Sequence, residues 1–251
     1  MNAVSRSVLL AIAFTVVGAH ASPDGMRSDD PKIVNSDAFI RAHPDLRFRR
    51  SGMEAYERKR FKEAFGYFQD AAHYADKTSQ AMVAEMLWNG VGVAQDRSLA
   101  YAWMDMAAER NYPSLIVLRE RYWSQLDATE QARAVEAGKP VFAKYADDVA
   151  KPRLERELQR ERYKATGSRL GRVGTLSLPS QTHVSKQQPQ VDGGKATDAM
   201  GTFSNFVDGS KYYAAEYWNP KEYWRWQDAQ WQRLGDGSVI VGAPQGVGKW
   251  N

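Results

Sequence analysis

The chain opens with a short polar lead containing Arg6, followed by an apolar run from Val8 to Ala19. Residues 22–47 are polar and broken by Pro23, Pro31 and Pro44, with only Phe39 and Ile40 as an apolar anchor. That texture predicts a polar leader with at most one short helix. From 48 to 125 alanines and aromatics recur at helical spacing, and 126–165 continue as capping or extended helices. Residues 166–211 are rich in Gly, Ser, Gln and Pro without periodicity. Such a composition buries too little apolar surface to offset its ordering entropy, which predicts a disordered linker. The last segment, 212–251, turns sharply aromatic.

Within 48–125 the apolar positions resolve into helix pairs. Ala81, Ala84, Leu87 and Trp88 make one short helix, which Asn89-Gly90 is suited to stop because glycine accepts the left-handed conformation. Asp96 stands where an N-cap is wanted for the next helix. There Ala100, Trp103, Ala107 and Ala108 form a stripe whose small residues admit a neighbouring helix. A shift of 36 residues aligns Ala64 with Ala100, Phe65 with Tyr101, Tyr67 with Trp103, and Ala71-Ala72 with Ala107-Ala108. A period in this range marks stacked helical units. The Gly90-x-Gly92 pair could also be read as a phosphate cradle. A dinucleotide fingerprint needs a strand before it and a third glycine after it, whereas here Trp88 closes a helix and Gln95 fills the third position.

The run Ala81, Met86-Leu87, Gly90-x-Gly92-Val93, Asp96, Ala100, Trp103, Ala107-Ala108 resembles the Sel-1-like repeat, a relative of the tetratricopeptide repeat. The unit from 80 to 112 follows that pattern closely, with Asn111 where the family usually has Gly. The flanking units are degenerate, and the likeness covers about 75 of the 251 residues. The resemblance implies a mainly α fold. It would be a short α-solenoid of antiparallel helix pairs with capping helices, whose groove binds a protein or peptide as an adaptor and not as a catalyst. Some exported relatives carry cysteine pairs and are linked to β-lactams, but this chain has no cysteine.

In the aromatic segment Asn219, Pro220 and Glu222 announce a helix start, with Trp218 and Tyr223 placed as a hydrophobic staple. A helical wheel puts Pro220, Tyr223, Trp224, Gln227, Trp231 and Leu234 on one face, from which Trp224, Trp231 and Leu234 are expected to dock on the repeats as a terminal cap, and leaves Trp226 off it. Trp226 is therefore expected to be exposed as a partner or ligand contact. Ser238 to Gly242 is a short strand candidate.

Composition narrows the classes. Residues 1–21 have a basic lead, a short apolar run and an Ala19-His20-Ala21 cleavage site, so they read as a signal peptide cut after Ala21. The mature chain is expected in the periplasm or outside the cell, without a membrane span. The formal charge falls from +4 to +3 on losing Arg6 and is interleaved with acids, unlike a nucleic-acid footprint. His20, His43, His73 and His183 show no metal-ligand spacing, and no nucleophile elbow is present. The expectation is a binding or adaptor module with no catalytic residue, metal or cofactor, taking a protein or peptide partner. Two alternatives stay open: an envelope enzyme or subunit acting on peptidoglycan or a β-lactam, and a carbohydrate-binding protein using the aromatic tail. The oligomeric state is left open.

Overall fold

A computed structural model describes residues 30–165, 175–177 and 206–235. The expected signal peptide, the strand candidate at 238–242 and most of the expected linker lie outside them. The described residues are mostly helical, and none of their helices is long and apolar enough to cross a membrane.

The leader is the first correction. Where at most one short helix was expected, the chain forms α1 (Pro31–Val34), α2 (Asp37–Ala42) and the start of α3 (Pro44–Glu57). Pro31 and Pro44 sit in first helical turns, where a missing N–H costs nothing, so these prolines begin helices. Ser36 Oγ accepts from the Phe39 amide to cap α2. Ile33, Phe39 and His43 are buried.

Six longer helices follow: α4 (Phe61–Ala72), α5 (Lys77–Asn89), α6 (Arg97–Ala107), α7 (Pro113–Gln125), α8 (Ala128–Tyr145) and α9 (Asp147–Ala165). α3 packs on α4, α4 on α5 and α5 on α6, while α7 and α8 both rest on α6. Left-handed residues reverse the chain at Lys59, Ala75, Gly90, Gly92 and Asn111. Asp96 caps α6 by accepting from the Leu99 amide at 3.0 Å, and Asp127 with Glu130 forms the expected capping box on α8.

Two hydrophobic clusters hold the helices. The first gathers Phe68, Ala72, Ala81, Leu87, Ala100, Trp103, Met104, Ala107 and Ala108, with Tyr122, Val141 and Tyr145 from α7 and α8. Several residues 36 apart share an environment, with Ala64 and Ala100 buried, as are Phe68 and Met104 and the pairs Ala71-Ala72 and Ala107-Ala108, whereas Tyr67 is half-buried where Trp103 is buried. Gly52 lets α3 approach, since a Cβ there would stand 2.6 Å from the Phe68 ring.

The second cluster joins the two ends of the described chain. Ile33, Phe39 and Leu46 meet Leu154 and Leu158 of α9 and Tyr212, Tyr217, Trp218, Tyr223 and Trp226. Here β1 (Thr175–Ser177) pairs antiparallel with β2 (Phe206–Asp208), with Leu176 opposite Val207. β2 leads into α10 (Gly209–Tyr212), α11 (Ala215–Trp218) and α12 (Pro220–Gly235). The described elements at 175–177 and from 206 thus lie inside the segment expected to be linker. Asn219 accepts from the Lys221 amide at the start of α12, at the position its sequence announced.

Candidate binding groove

The turn between α7 and α8 is tied to α6 and to the start of α8. Arg97 donates to the Gln125 carbonyl, Ser98 Oγ donates to the Glu130 carbonyl at 2.9 Å, and Gln131 donates to the carbonyls of Trp123 and Leu126. Leu126 and Asp127 are extended, which spaces the two helices. α7 is held away from α8 by its grip on α5, where Trp88 stacks on Tyr122 at 4.0 Å and the Tyr122 hydroxyl donates to Glu85 at 2.6 Å. Beyond the turn α7 and α8 barely touch, and a groove of about 360 Å³ opens between them.

Its floor is Tyr101, Ala102 and Asp105 of α6. Trp123 forms one wall, while Ala134, Val135, Gly138, Lys139 and Phe142 of α8 form the other. Tyr101 and Trp123 meet with ring centroids 4.7 Å apart. A Cβ at Gly138 would stand 3.8 Å from the Ala102 side chain and 3.9 Å from the Phe142 ring, so the glycine brings α8 close to α6 at this wall. Two lining residues carry charge, Asp105 on the floor and Lys139 on the α8 wall. Lys139 pairs with Glu136, and Asp105 stands 3.5 Å from Arg119. Burial raises the Asp105 carboxyl above its ordinary range, with Arg119 opposing. The lining can bury an apolar or aromatic side chain and leave its backbone beside Asp105 and Lys139. A volume of this size is at the small end of ligand clefts.

The sequence-predicted residues lie elsewhere. Ala81, Leu87, Ala100, Trp103, Ala107 and Ala108 are in the core beneath the groove. Gly90 is the left-handed cap of α5, and Asp96 caps α6. Gly92 has φ 73°, and a Cβ on it would lie 2.5 Å from the Phe61 carbonyl carbon. The second glycine therefore serves contact with the chain itself at Phe61. Trp226, expected to be exposed, is 8% exposed. Its ring lies against Phe39, Tyr217 and Tyr223 at centroid distances of 6.5, 5.5 and 5.3 Å. The wheel gave α12 a single buried face, whereas the leader supplies a second surface on which Trp226 packs. Tyr101, Trp123 and Phe142 were not read as site residues. Gly138 in the middle of an amphipathic helix was the available signal.

The polar groups form a structural joint beside α12. The Lys77 ammonium is fully buried and donates to the Met106 carbonyl at 3.0 Å and to Glu109 at 2.8 Å, with Asp147 also 3.0 Å away. Arg110 donates twice to Asp147, at 2.6 and 3.0 Å, and lies over the Trp224 ring. Burial alone would raise the Asp147 carboxyl, but Arg110 and Lys77 outweigh it and hold it well below the carboxylate range. Tyr112 donates to Asp228 and stacks on Trp231, closing the joint. Among the described residues no group of three His, Asp or Glu is placed to hold a metal ion.

Comparison of the chain with protein families, curated proteins and solved structures finds no match.

Proposed function

We propose that the mature chain is an exported helical-repeat binding module. It seats an apolar or aromatic side chain of a protein or peptide partner in the groove between α7 and α8. The observation that carries this reading is the largely apolar lining of that groove, in which the two charged residues, Asp105 and Lys139, each stand beside an opposite charge. Such a surface favours capture of a side chain over bond making, because catalysis calls for convergent polar groups aimed at one reacting atom. The 36-residue correspondence of α4 and α6 supports the repeat reading, and the Sel-1-like resemblance supports an adaptor role. The signal-like residues 1–21 support export to the periplasm or beyond.

A photo-cross-linking residue placed at Val135, which lines the groove and is 58% exposed, tests the proposal. Val117, 65% exposed on α7 and outside the groove, is the matched control. In an envelope extract, position 135 is expected to form a discrete adduct whose cross-linked peptide is the same in replicate experiments. Equal labelling from both positions would overturn the assignment of the groove.

A further inference from the structure

The contacts between α6 and α7 run in antiparallel order. From the turn outward, Arg97 meets the Gln125 carbonyl, Tyr101 meets Trp123, and Asp105 meets Arg119. The groove is therefore graded along its length. Its floor is aromatic toward the turn, and the half-buried Asp105 carboxylate follows four residues further along α6, a rise of about 6 Å.

The two charged lining residues are compensated unequally. On the α8 wall Lys139 donates to both oxygens of Glu136, at 2.7 and 2.5 Å, so that exposed pair is closed on itself. On the floor Asp105 shares its cation. Arg119 donates from Nε and Nη2 to one Glu120 oxygen, at 3.0 and 2.6 Å, and only its Nη1 approaches Asp105, at 3.5 Å. One guanidinium thus serves two carboxylates, and its short hydrogen bonds go to Glu120. The acids Glu120 and Glu109 both act on Asp105 against this single cation. An excess negative charge is left beside Tyr101 and Trp123.

We propose that Asp105 selects the partner: the segment that seats an apolar or aromatic side chain against Tyr101 and Trp123 carries a lysine or arginine two residues away, whose cation pairs with Asp105. This rests on the reading of the groove as a side-chain receptor. Alternate residues of an extended segment lie on one face, about 6.6 Å apart, which matches the rise from Tyr101 to Asp105. The residue between them points away from the floor. A ligand cation supplies the countercharge that Arg119 divides with Glu120. An acidic residue at the same place would set like charge against a half-buried carboxylate, which disfavours it.

Selection of a random displayed peptide library on the full chain, with Asp105→Asn in parallel, reads the seated residue and its flank separately. The wild type is expected to enrich an aromatic or large aliphatic anchor with lysine or arginine two positions from it. Asp105→Asn, a change of charge at nearly constant shape, is expected to keep the anchor and lose the base. A selected peptide with norleucine in place of that base should bind the wild type about fivefold more weakly than its parent, and the two peptides should bind Asp105→Asn equally. The wild-type comparison does not depend on any variant folding. An anchor enriched without a base, or a preference for the base that survives Asp105→Asn, would overturn the role of Asp105 and leave the receptor reading standing. Absence of any anchor from the wild-type selection would overturn both.

Discussion

Replacing Gly92 by alanine should damage the protein more than the same change at Gly90, although the two glycines stand two residues apart in one turn. Both have positive φ, 68° at Gly90 and 73° at Gly92, so each substitution costs about 1 kcal/mol for forcing an L-residue into the left-handed region. They differ in what the new Cβ meets. At Gly90 the nearest atom is the Gln95 Cβ at 3.3 Å, on an exposed residue that can give way by a few tenths of an ångström. At Gly92 it meets the Phe61 carbonyl carbon at 2.5 Å and oxygen at 2.7 Å, which are backbone atoms at the start of α4. Displacing packed backbone adds about 1–3 kcal/mol. Gly92→Ala should thus cost about 2–4 kcal/mol and Gly90→Ala about 1 kcal/mol. Urea unfolding followed by circular dichroism at 222 nm measures both. Equal costs, or a larger cost at Gly90, would refute the close contact between this turn and α4.

Gly66 in the middle of α4 meets nothing within 4 Å, so Gly66→Ala should stabilise the protein by about 0.5–1 kcal/mol in the same assay. Trp226→Ala should cost about 3–5 kcal/mol because the ring is core. A cost near zero would restore the exposed placement. Lys77→Met leaves Glu109 facing Asp147 without the buried ammonium and should cost about 3 kcal/mol. Asp147, held below its ordinary value by Arg110 and Lys77, contributes stability that is present above that value and lost as the pH falls below it. Acid unfolding of Asp147→Asn should therefore be less steep below pH 4 than that of the wild type.

What could be read from the sequence was local. Asp96, Asp127 with Glu130, and Asn219 with Pro220 announced helix starts because capping is decided within one turn of the chain. The buried alanine stripe of α6 was legible for the same reason. The leader was misread because proline marks both chain breaks and first helical turns, and nothing within the leader tells the two apart at Pro31 and Pro44. Trp226 was misplaced because a helical wheel assigns one buried face, whereas α12 is packed on two sides. The groove was invisible because it arises from a contact not made, that of α7 with α8. Nothing in either helix states that α7 will turn instead toward Trp88 and Glu85.

The central claim is that the space between α7 and α8 is a side-chain receptor, and a peptide-display selection on the protein tests it most directly. Val135→Glu places a carboxylate on the groove wall, and Val117→Glu places one on α7 outside it. Both positions are exposed enough that each change should alter stability by no more than about 0.5 kcal/mol. The account predicts enrichment of peptides centred on an aromatic or large aliphatic residue by the wild type and by Val117→Glu, and loss of that enrichment in Val135→Glu. Enrichment that survives Val135→Glu unchanged, or none in the wild type, would contradict it.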